Sequence, residues 1–408
     1  MAQNVVVEHN KLLPREGNRS VCYFLGAGFS AATSYKYPTS VGFLTRADRV
    51  GVPRFLSDET VPDEPESLGE IRYDGDRYGG MLDRVEERYG DLQCVNIEDV
   101  LTDLYVRTHG IGGSWEDAER LQLLQRDYET ILHFIMQRLF VRGANDDCCE
   151  LTERLLGCLR DKDSIITLNY DLAIELVLAT GVNWKARLRN LEWLISAPAN
   201  APSSDVSILQ RAHDISCGTL FKLHGSVDWR ACPNAICPCY FHIETVNEWY
   251  LYHRPRFVGS RCRVCGRELE PVIIPPIAAK SFERYPRLNL LWNGAFEALR
   301  DSARWVFLGV SFAKTDFHLS SLLGAAYEAS RSFGGRSPES APAQICVVSR
   351  NLDSAWSCAC RLVAALPPIM RQQNENGEVI VSLFESIERY VAEAAGGGQS
   401  ASDAGAGS

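Results

Sequence analysis

The stretch VCYFLGAGFSAA, residues 21–32, joins five apolar residues to two glycines and a run of small residues. An apolar run of this length that ends in glycine predicts a buried β-strand, and the small residues predict the start of a helix. Backbone N–H groups at Gly26, Ala27 and Gly28 could therefore approach a pyrophosphate at the helix N-terminus. A tight loop without a nucleotide is the alternative, and the missing third glycine argues against an ordinary Rossmann dehydrogenase.

Four further apolar runs have the length of buried strands, and each ends in polar or glycine residues. They occupy residues 164–168, 219–223, 304–310 and 344–348. Apolar residues recur with helical spacing at 95–107, at 118–141 and after residue 171. This alternation predicts an α/β fold with a Rossmann-like doubly wound parallel sheet, which binds its ligand at the carboxyl ends of the strands.

Two segments interrupt the alternation, so we predict smaller modules beside the main domain. Residues 50–85 are polar and contain three prolines and a glycine pair, which predicts an irregular segment. The end of the chain is too polar and glycine-rich to fold. The predicted parts are a Rossmann-like domain at 15–50, 150–230 and 275–390, a helical insertion at 51–149, a zinc-ribbon-like module at 231–270 and a disordered tail at 394–408.

Charge and hydropathy exclude several classes of partner. The 408 residues include 52 acidic and 42 basic ones, and the net charge of −10 gives no bulk attraction to nucleic acid or to an anionic membrane. No stretch approaches the ~18 apolar residues of a membrane span, and the first residues do not have the form of a secretion signal. We therefore expect a cytoplasmic protein whose 14 cysteines are reduced thiols or metal ligands.

Five cysteines cluster between residues 232 and 265. The spacing Cys262-x2-Cys265 is that of a knuckle that places two thiolates on one tetrahedral ion. The earlier group, Cys232-x4-Cys237-x-Cys239, has no two-residue gap, so which two of its three thiols bind is open. We predict a structural zinc held by Cys237, Cys239, Cys262 and Cys265, with Cys232 as a further candidate. A ribbon that has lost its metal is the alternative.

Three polar side chains follow two of the predicted strands. Asn169 and Asp171 come after residues 164–168, and His224 comes after residues 219–223. An amide and a carboxylate at such a place can bind a ribose hydroxyl or hold a water, although an Asx turn that caps the next helix would use the same residues. Histidine titrates near neutrality, which suits proton transfer, and a core histidine is the alternative.

In their order along the chain, these segments resemble the sirtuin superfamily. The matching segments are GAGFS (26–30), TLNYD (167–171), KLHGS (222–226), the cysteine ribbon, GVS (309–311) and SRN (349–351). The resemblance implies an NAD-binding domain with the helical insertion and the ribbon as a small domain over the cleft, and Asn169 and His224 as catalytic residues. The residues that it assigns to NAD binding are Gly26, Ala27, Gly28, Ser30, Asp171, Gly309, Ser311 and Asn351.

Departures from the deacylase pattern favour another branch of the superfamily. Deacylases continue the first glycine segment into Gly-Ile-Pro-Asp-Phe-Arg, whereas this chain has AATSYKYPTS (31–40). In place of their peptide-pairing Phe-Gly-Glu segment it has PVIIPP (271–276), whose prolines lack backbone donors. The segments NIED (96–99), HGSVDW (224–229), IIPP and GVSFAKTDFH (309–318) resemble instead the sirtuin-like effectors of bacterial antiphage defence.

That branch implies an NAD glycohydrolase, which cleaves NAD to nicotinamide and ADP-ribose and depletes NAD upon infection. A cyclised product is compatible with the same residues. The alternatives are an NAD-dependent protein deacylase or ADP-ribosyltransferase, and a non-enzymatic subunit that senses NAD or ADP-ribose. Because loss of a central cofactor must be restrained, we expect control by a homo-oligomer or by an operon-encoded partner.

Overall fold

The chain forms two compact units in the computed structural model. Unit 1 comprises residues 1–37, 146–226 and 282–408, and unit 2 comprises residues 38–145 and 227–281. The residues that the structure describes are 5–12, 20–33, 39–41, 43–44, 75–109, 118–140, 150–160, 162–180, 219–241, 243–245, 261–277, 280, 282, 285–312, 316–332, 344–365 and 379–396.

Unit 1 is built on a seven-stranded sheet with the order β1-β10-β9-β8-β2-β3-β4, in which all the neighbouring pairs are parallel. Its strands are β1 Val5–His9, β2 Val21–Leu25, β3 Ser164–Thr167, β4 Leu220–Lys222, β8 Arg304–Leu308, β9 Gln344–Val348 and β10 Val379–Phe384. From β2 the chain adds β3 and β4 on one side and later β8 and β9 on the other. The prediction of a doubly wound α/β sheet is therefore confirmed, with its switch point between β2 and β8.

The five predicted strands all form, and β2, β8 and β9 are buried along their whole length. Continuous burial is expected for parallel strands that are covered on both faces, and it explains why these segments are apolar apart from Arg304 and Gln344, the buried first residues of β8 and β9. The outer strands β1 and β10 were not predicted. They extend the sheet beyond β9 through parallel pairing of Val5–His9 with Val379–Leu383.

Helices connect the strands of unit 1. They are α1 Ala27–Ala32, α5 Glu150–Gly157, α6 Ala173–Thr180, α7 Pro286–Asp301, α8 Phe317–Ser332, α9 Leu352–Ala365 and α10 Ile387–Gly396. Because α10 extends to Gly396, the prediction of a disordered tail is wrong for residues 394–396. The rest of that tail lies outside the described residues.

Unit 2 contains three helices, α2 Gly75–Tyr89, α3 Ile97–His109 and α4 Ala118–Phe140, among its described residues. The helices predicted at 95–107 and 118–141 are confirmed. The irregular segment predicted at 50–85 is wrong for residues 75–85, where α2 buries Tyr78, Met81, Leu82 and Val85 on one face. These four residues lie three or four positions apart, as on one face of a helix. Gly79 and Gly80 lie between them and favoured the prediction of an irregular segment. Residues 51–74 lie outside the described part of the chain.

A second, three-stranded sheet has the order β6-β5-β7. Its strands are β5 Gly225–Ala231, β6 Ile243–Thr245 and β7 Glu270–Ile273, and β5 pairs with β6 in antiparallel fashion. Strand β7 ends just before Pro275-Pro276, because proline cannot donate to a ladder. A 3₁₀-helix, Pro238–Phe241, lies between β5 and β6.

Within the described ranges, no helix combines the length and the apolar character that crossing a membrane requires.

Candidate functional site

The carboxyl ends of five adjacent strands lie in one row. The Cα partners are Val348 with Leu308, Leu308 with Leu25, Leu25 with Thr167, and Thr167 with Lys222. Every predicted site residue of unit 1 follows one of these strand ends within six positions. The register of the sheet therefore brings residues from five separate stretches of sequence to one edge, where ligands of doubly wound sheets bind.

At the centre of this edge, the turn after β2 lies directly against the turn after β8. The Gly26 N–H donates to Leu308 O and the Gly28 N–H to Gly309 O, both at 3.0 Å. Among the described residues, this leaves Ala27 as the member of the glycine turn whose N–H makes no hydrogen bond, and Ala27 is exposed. The expectation that all three N–H groups are available to a pyrophosphate is therefore corrected: two of them hold the strand ends together.

This contact also explains why glycine is required on both sides. A Cβ at Gly309 would lie 2.3 Å from the Phe29 N atom, and one at Gly26 would lie 2.5 Å from Gly309 O. The Gly309 φ of 65° adds a conformation that other residues adopt only with strain. The two turns can approach only because side chains are absent from both.

Asn169 is fixed against the glycine turn by both hydrogens of its side-chain amide. Its Nδ2 atom donates to Gly26 O at 2.9 Å and to Ser30 Oγ at 2.8 Å. Because a backbone carbonyl can only accept, this arrangement defines which end of the amide is the nitrogen. Its backbone N–H donates to Thr167 Oγ1 at 3.0 Å. The side-chain oxygen is the end left to accept a hydrogen bond, and Asn169 is half-buried.

Asp171 and Asn351 both act as helix caps. Asp171 Oδ1 accepts from the Ala173 N–H at 3.0 Å at the start of α6, and Asn351 Oδ1 accepts from the Ser354 N–H at 2.8 Å at the start of α9. The capping alternative, which the sequence left open for Asp171, accounts for one of its carboxylate oxygens, and the same role at Asn351 was not predicted. Asp171 is buried, whereas Asn351 and the predicted Ser311 are exposed.

His224 lies in the turn between β4 and β5 and is buried. Gly225 follows it with a φ of 86°, so the chain reverses at a conformation that favours glycine. Aromatic rings surround the imidazole: the ring centroids of Tyr170, Trp292 and Phe282 lie 6.3, 6.2 and 6.4 Å from that of His224. The imidazole is thus held by packing at the same edge as Asn169.

Two further residues bond to the chain beside the predicted pair, Trp292 next to His224 and Lys222 near Asn169, and neither was predicted as a site residue. The Trp292 Nε1–H donates to Leu223 O at 3.0 Å, next to His224. Lys222 Nζ donates to Asp171 O at 2.5 Å and to Glu175 Oε1 at 2.7 Å. A signal for Lys222 was present, since it is a charged residue at the end of an apolar strand. Trp292 is one of two aromatic residues on α7, with Phe296, and carried no such signal.

In unit 2, the sulfur atoms of Cys232, Cys237, Cys262 and Cys265 lie within 4.8 Å of one another. The Cys232–Cys265 and Cys237–Cys262 sulfur distances are 3.5 and 3.7 Å. A disulfide would require about 2.05 Å, whereas a tetrahedron with Zn–S bonds of about 2.3 Å has edges of about 3.8 Å. The four thiols therefore fit a structural zinc site.

The predicted ligand set is corrected at one position, because Cys232 replaces Cys239. Cys239, on the 3₁₀-helix that begins at Pro238, packs beside the group without belonging to it, and its backbone N–H lies 3.4 Å from Cys237 Sγ. In the Cys262-x2-Cys265 knuckle, burial opposes ionisation of the Cys262 thiol. The backbone N–H groups of Cys265 and Val264, together with the thiols of Cys265 and Cys232, outweigh burial and lower the pKa of the Cys262 thiol to about 6. Such N–H···S bonds favour the thiolate, which is the form that binds metal.

No family model and no curated protein matches the chain. Solved structures of Sir2 proteins are similar to it. A Sir2 homologue in complex with NAD has 12% sequence identity and a TM-score of 0.41, with 94% of this chain and 91% of that chain covered. A structure on the mechanism and regulation of Sir2 enzymes has 12% identity and a TM-score of 0.39, with 94% of each chain covered. The similarity describes the course of the chain and not its activity.

Proposed function

We propose that this protein is an NAD glycohydrolase, which hydrolyses NAD to nicotinamide and ADP-ribose. The observation that carries the proposal is the placement of Asn169 and His224. They follow β3 and β4, which are paired through Thr167 and Lys222, and each lies two positions beyond its strand's last paired residue. The sequence resemblance supports the same two residues as the reacting pair.

The reaction breaks the bond between C1′ of the ribose and the nicotinamide nitrogen. The bonding electron pair goes to nicotinamide, whose ring becomes neutral, and an oxocarbenium-like centre is left at C1′. Water then forms the new C1′–O bond and loses one proton. Asn169 would orient this water, because its amide oxygen can accept a hydrogen bond from it. The amide hydrogens of Asn169 already bond to Gly26 and Ser30, which holds the oxygen in place.

His224 would accept the proton, either from the water or from a ribose hydroxyl. A neutral imidazole is the side chain best matched to that transfer near neutral pH. The surrounding aromatic rings limit the orientations that the imidazole can adopt. Ser30 is buried beside Asn169, so its hydroxyl fixes the amide that orients the water.

Zinc, when bound to the four cysteines of unit 2, would have a structural role. Four thiolates complete a tetrahedral coordination shell and leave no position for a reacting water. The chemistry of the proposed reaction therefore belongs to the residues of unit 1.

The proposed biological role is depletion of NAD in response to phage infection. Its support is the resemblance of the segments NIED, HGSVDW, IIPP and GVSFAKTDFH to antiphage effectors. Control by a homo-oligomer or an operon-encoded partner is part of the proposal. An isolated monomer that is as active as every assembled form would contradict that control.

The test of the proposed function is incubation of the purified full chain with NAD alone, with nicotinamide release followed by chromatography. We expect turnover without an acylated peptide. Asn169→Ala and His224→Ala should each lower kcat by about 100-fold or more, as for loss of a positioned group in proton transfer. The matched controls Asn293→Ala and His9→Ala remove exposed side chains and should retain wild-type turnover.

Other outcomes of this assay separate the alternatives. Strict dependence on an acylated peptide would favour a deacylase, and transfer of ADP-ribose to protein would favour a transferase. NAD binding without any turnover in every assembly state would favour a sensor. Equal activity of wild type, Asn169→Ala and His224→Ala would refute the assigned catalytic pair.

A further inference from the structure

Lys222 is a buried cation that the proposed reaction does not use. It is the last residue of β4, and its side chain is 1% exposed. Its Nζ atom donates to the backbone oxygen of Asp171 at 2.5 Å and to Glu175 Oε1 at 2.7 Å. Both acceptors belong to the segment that follows β3. Lys222 therefore joins the end of its own strand to the polypeptide that leaves the neighbouring strand.

Burial of an ammonium group has a cost that a buried apolar side chain avoids. Apolar residues often replace buried ion pairs without loss of stability. Stability alone is thus a weak reason for a lysine at the end of an apolar strand. An apolar residue could not hold the Asp171 carbonyl and the Glu175 carboxylate at one point, and this is the property in which Lys222 differs from its substitutes.

The segment held by Lys222 is the one that presents Asn169. The Asn169 N–H bonds to Thr167 Oγ1, and the Asp171 carboxylate bonds to the Ala173 N–H. Lys222 adds the tie between this turn and β4. On the same strand, His224 lies two residues further on. One side chain therefore bridges the two stretches of chain that carry the proposed reacting groups.

We propose that Lys222 is a positioning residue, which sets the Asn169 turn relative to His224. The inference rests on the proposed function. Because displacement of a reacting group by about 1 Å can cost on the order of 100-fold in rate, loss of this tie should affect turnover more than substrate binding. We expect Lys222→Met to lower kcat by roughly 30-fold or more with KM changed by less than about 3-fold.

Two further single variants and one double variant, Lys222→Met with Asn169→Ala, test this interpretation. Glu175→Gln keeps an oxygen acceptor for Lys222 and should retain kcat within about 3-fold, and Lys222→Arg should restore part of the activity lost in Lys222→Met. If Lys222 acts through Asn169, Lys222→Met should lower kcat by less than about 3-fold when Asn169→Ala is already present. Independent, multiplicative losses would overturn the positioning role.

Hydrogen exchange on the full chain supplies a readout that does not depend on activity. In Lys222→Met we expect faster exchange of the Asn169 and Ala173 amides by about 10-fold or more, with β3 and β4 protected as in wild type. Unchanged exchange at 169–173 would overturn the proposal, and so would an equal increase throughout unit 1, which would indicate a merely structural role. If Lys222→Met fails to fold, the same measurements on Lys222→Arg decide, with a local change at 169–173 expected.

The two proposals can therefore fail separately. A wild-type chain without NAD turnover would refute the proposed function, while exchange at 169–173 would still test whether Lys222 fixes this turn. Normal turnover by a folded Lys222→Met would refute the positioning role and leave the glycohydrolase proposal intact.

Discussion

Replacement of Cys232 by serine should remove the zinc from unit 2, whereas replacement of Cys239 should leave it in place. The two residues belong to the same short segment, so they form a matched pair. Cys232 Sγ lies 3.5 Å from Cys265 Sγ, close to the edge of about 3.8 Å expected for tetrahedral zinc. Cys239 directs a backbone N–H at Cys237, and serine at position 239 would keep that N–H.

The size of the effect follows from the number of ligands. Structural zinc binds peptides of this kind with about 10–16 kcal/mol, so one thiolate of four accounts for roughly 3 kcal/mol. Loss of about 3 kcal/mol weakens binding by on the order of 100-fold. Because the ion is bound only by the folded form, Cys232→Ser should also lower the thermal stability of unit 2, and added chelator should have the same effect on wild type.

Metal content after dialysis against a competing chelator is the assay. We expect about one zinc per chain for wild type and for Cys239→Ser, and a clear deficit for Cys232→Ser. The reasoning would be refuted if Cys239→Ser lost the ion and Cys232→Ser kept it, since the original choice of Cys239 would then be correct. Absence of zinc from freshly purified wild type would favour a ribbon that has lost its metal.

Two further substitutions test the geometry of the sheet edge. Gly309→Ala should destabilise unit 1 by about 3 kcal/mol in urea unfolding, because Gly309 has a positive φ and an added Cβ would contact the Phe29 backbone. Gly157→Ala is the control, since its Cβ would meet nothing within 4 Å, and it should be neutral or stabilising. Trp292→Phe should lower kcat by about 10-fold and stability by about 1–3 kcal/mol, because the buried Leu223 carbonyl loses its donor, and half-exposed Trp356→Phe is the control. An unaffected Trp292→Phe enzyme would show that the His224 turn does not need this bond.

The sheet was predictable because its central strands are buried on both faces and are therefore apolar along most of their length. Two strands were not predicted: the edge strand β1, which ends in polar residues, and β10, which lies between β1 and β9 although its segment VIVSLF is apolar at five of six positions. The prediction also failed at α2, whose helical spacing of buried residues coincides with Gly79-Gly80. An apolar segment therefore indicates that an element is buried, but it does not by itself show where that element lies in the sheet.

The candidate site was predictable only in part. Residues at strand ends were found because parallel strands end at a common edge, and that rule needs no three-dimensional information. The choice between Cys232 and Cys239 depends on which thiol lies within reach of the other three in the folded chain, and spacing along the sequence does not contain that distance. Lys222 could be noticed as a charged residue at the end of an apolar strand, but its role and that of Trp292 depend on contacts with backbone oxygens far away in sequence, at Asp171 and Leu223.

The glycine turn shows how one sequence signature can serve two purposes. Gly26, Gly28 and Gly309 would be required by the close packing of β2 against β8 even if no nucleotide were bound. Loss of activity in a glycine variant would therefore say little about NAD. Asn169 is the more informative residue, because its amide depends on the position of the turn, and its oxygen does not hold the sheet together. Asn169→Ala also removes the hydrogen bonds to Gly26 O and Ser30 Oγ, so a fall in kcat much larger than the accompanying loss of unfolding free energy would separate chemistry from packing at this edge.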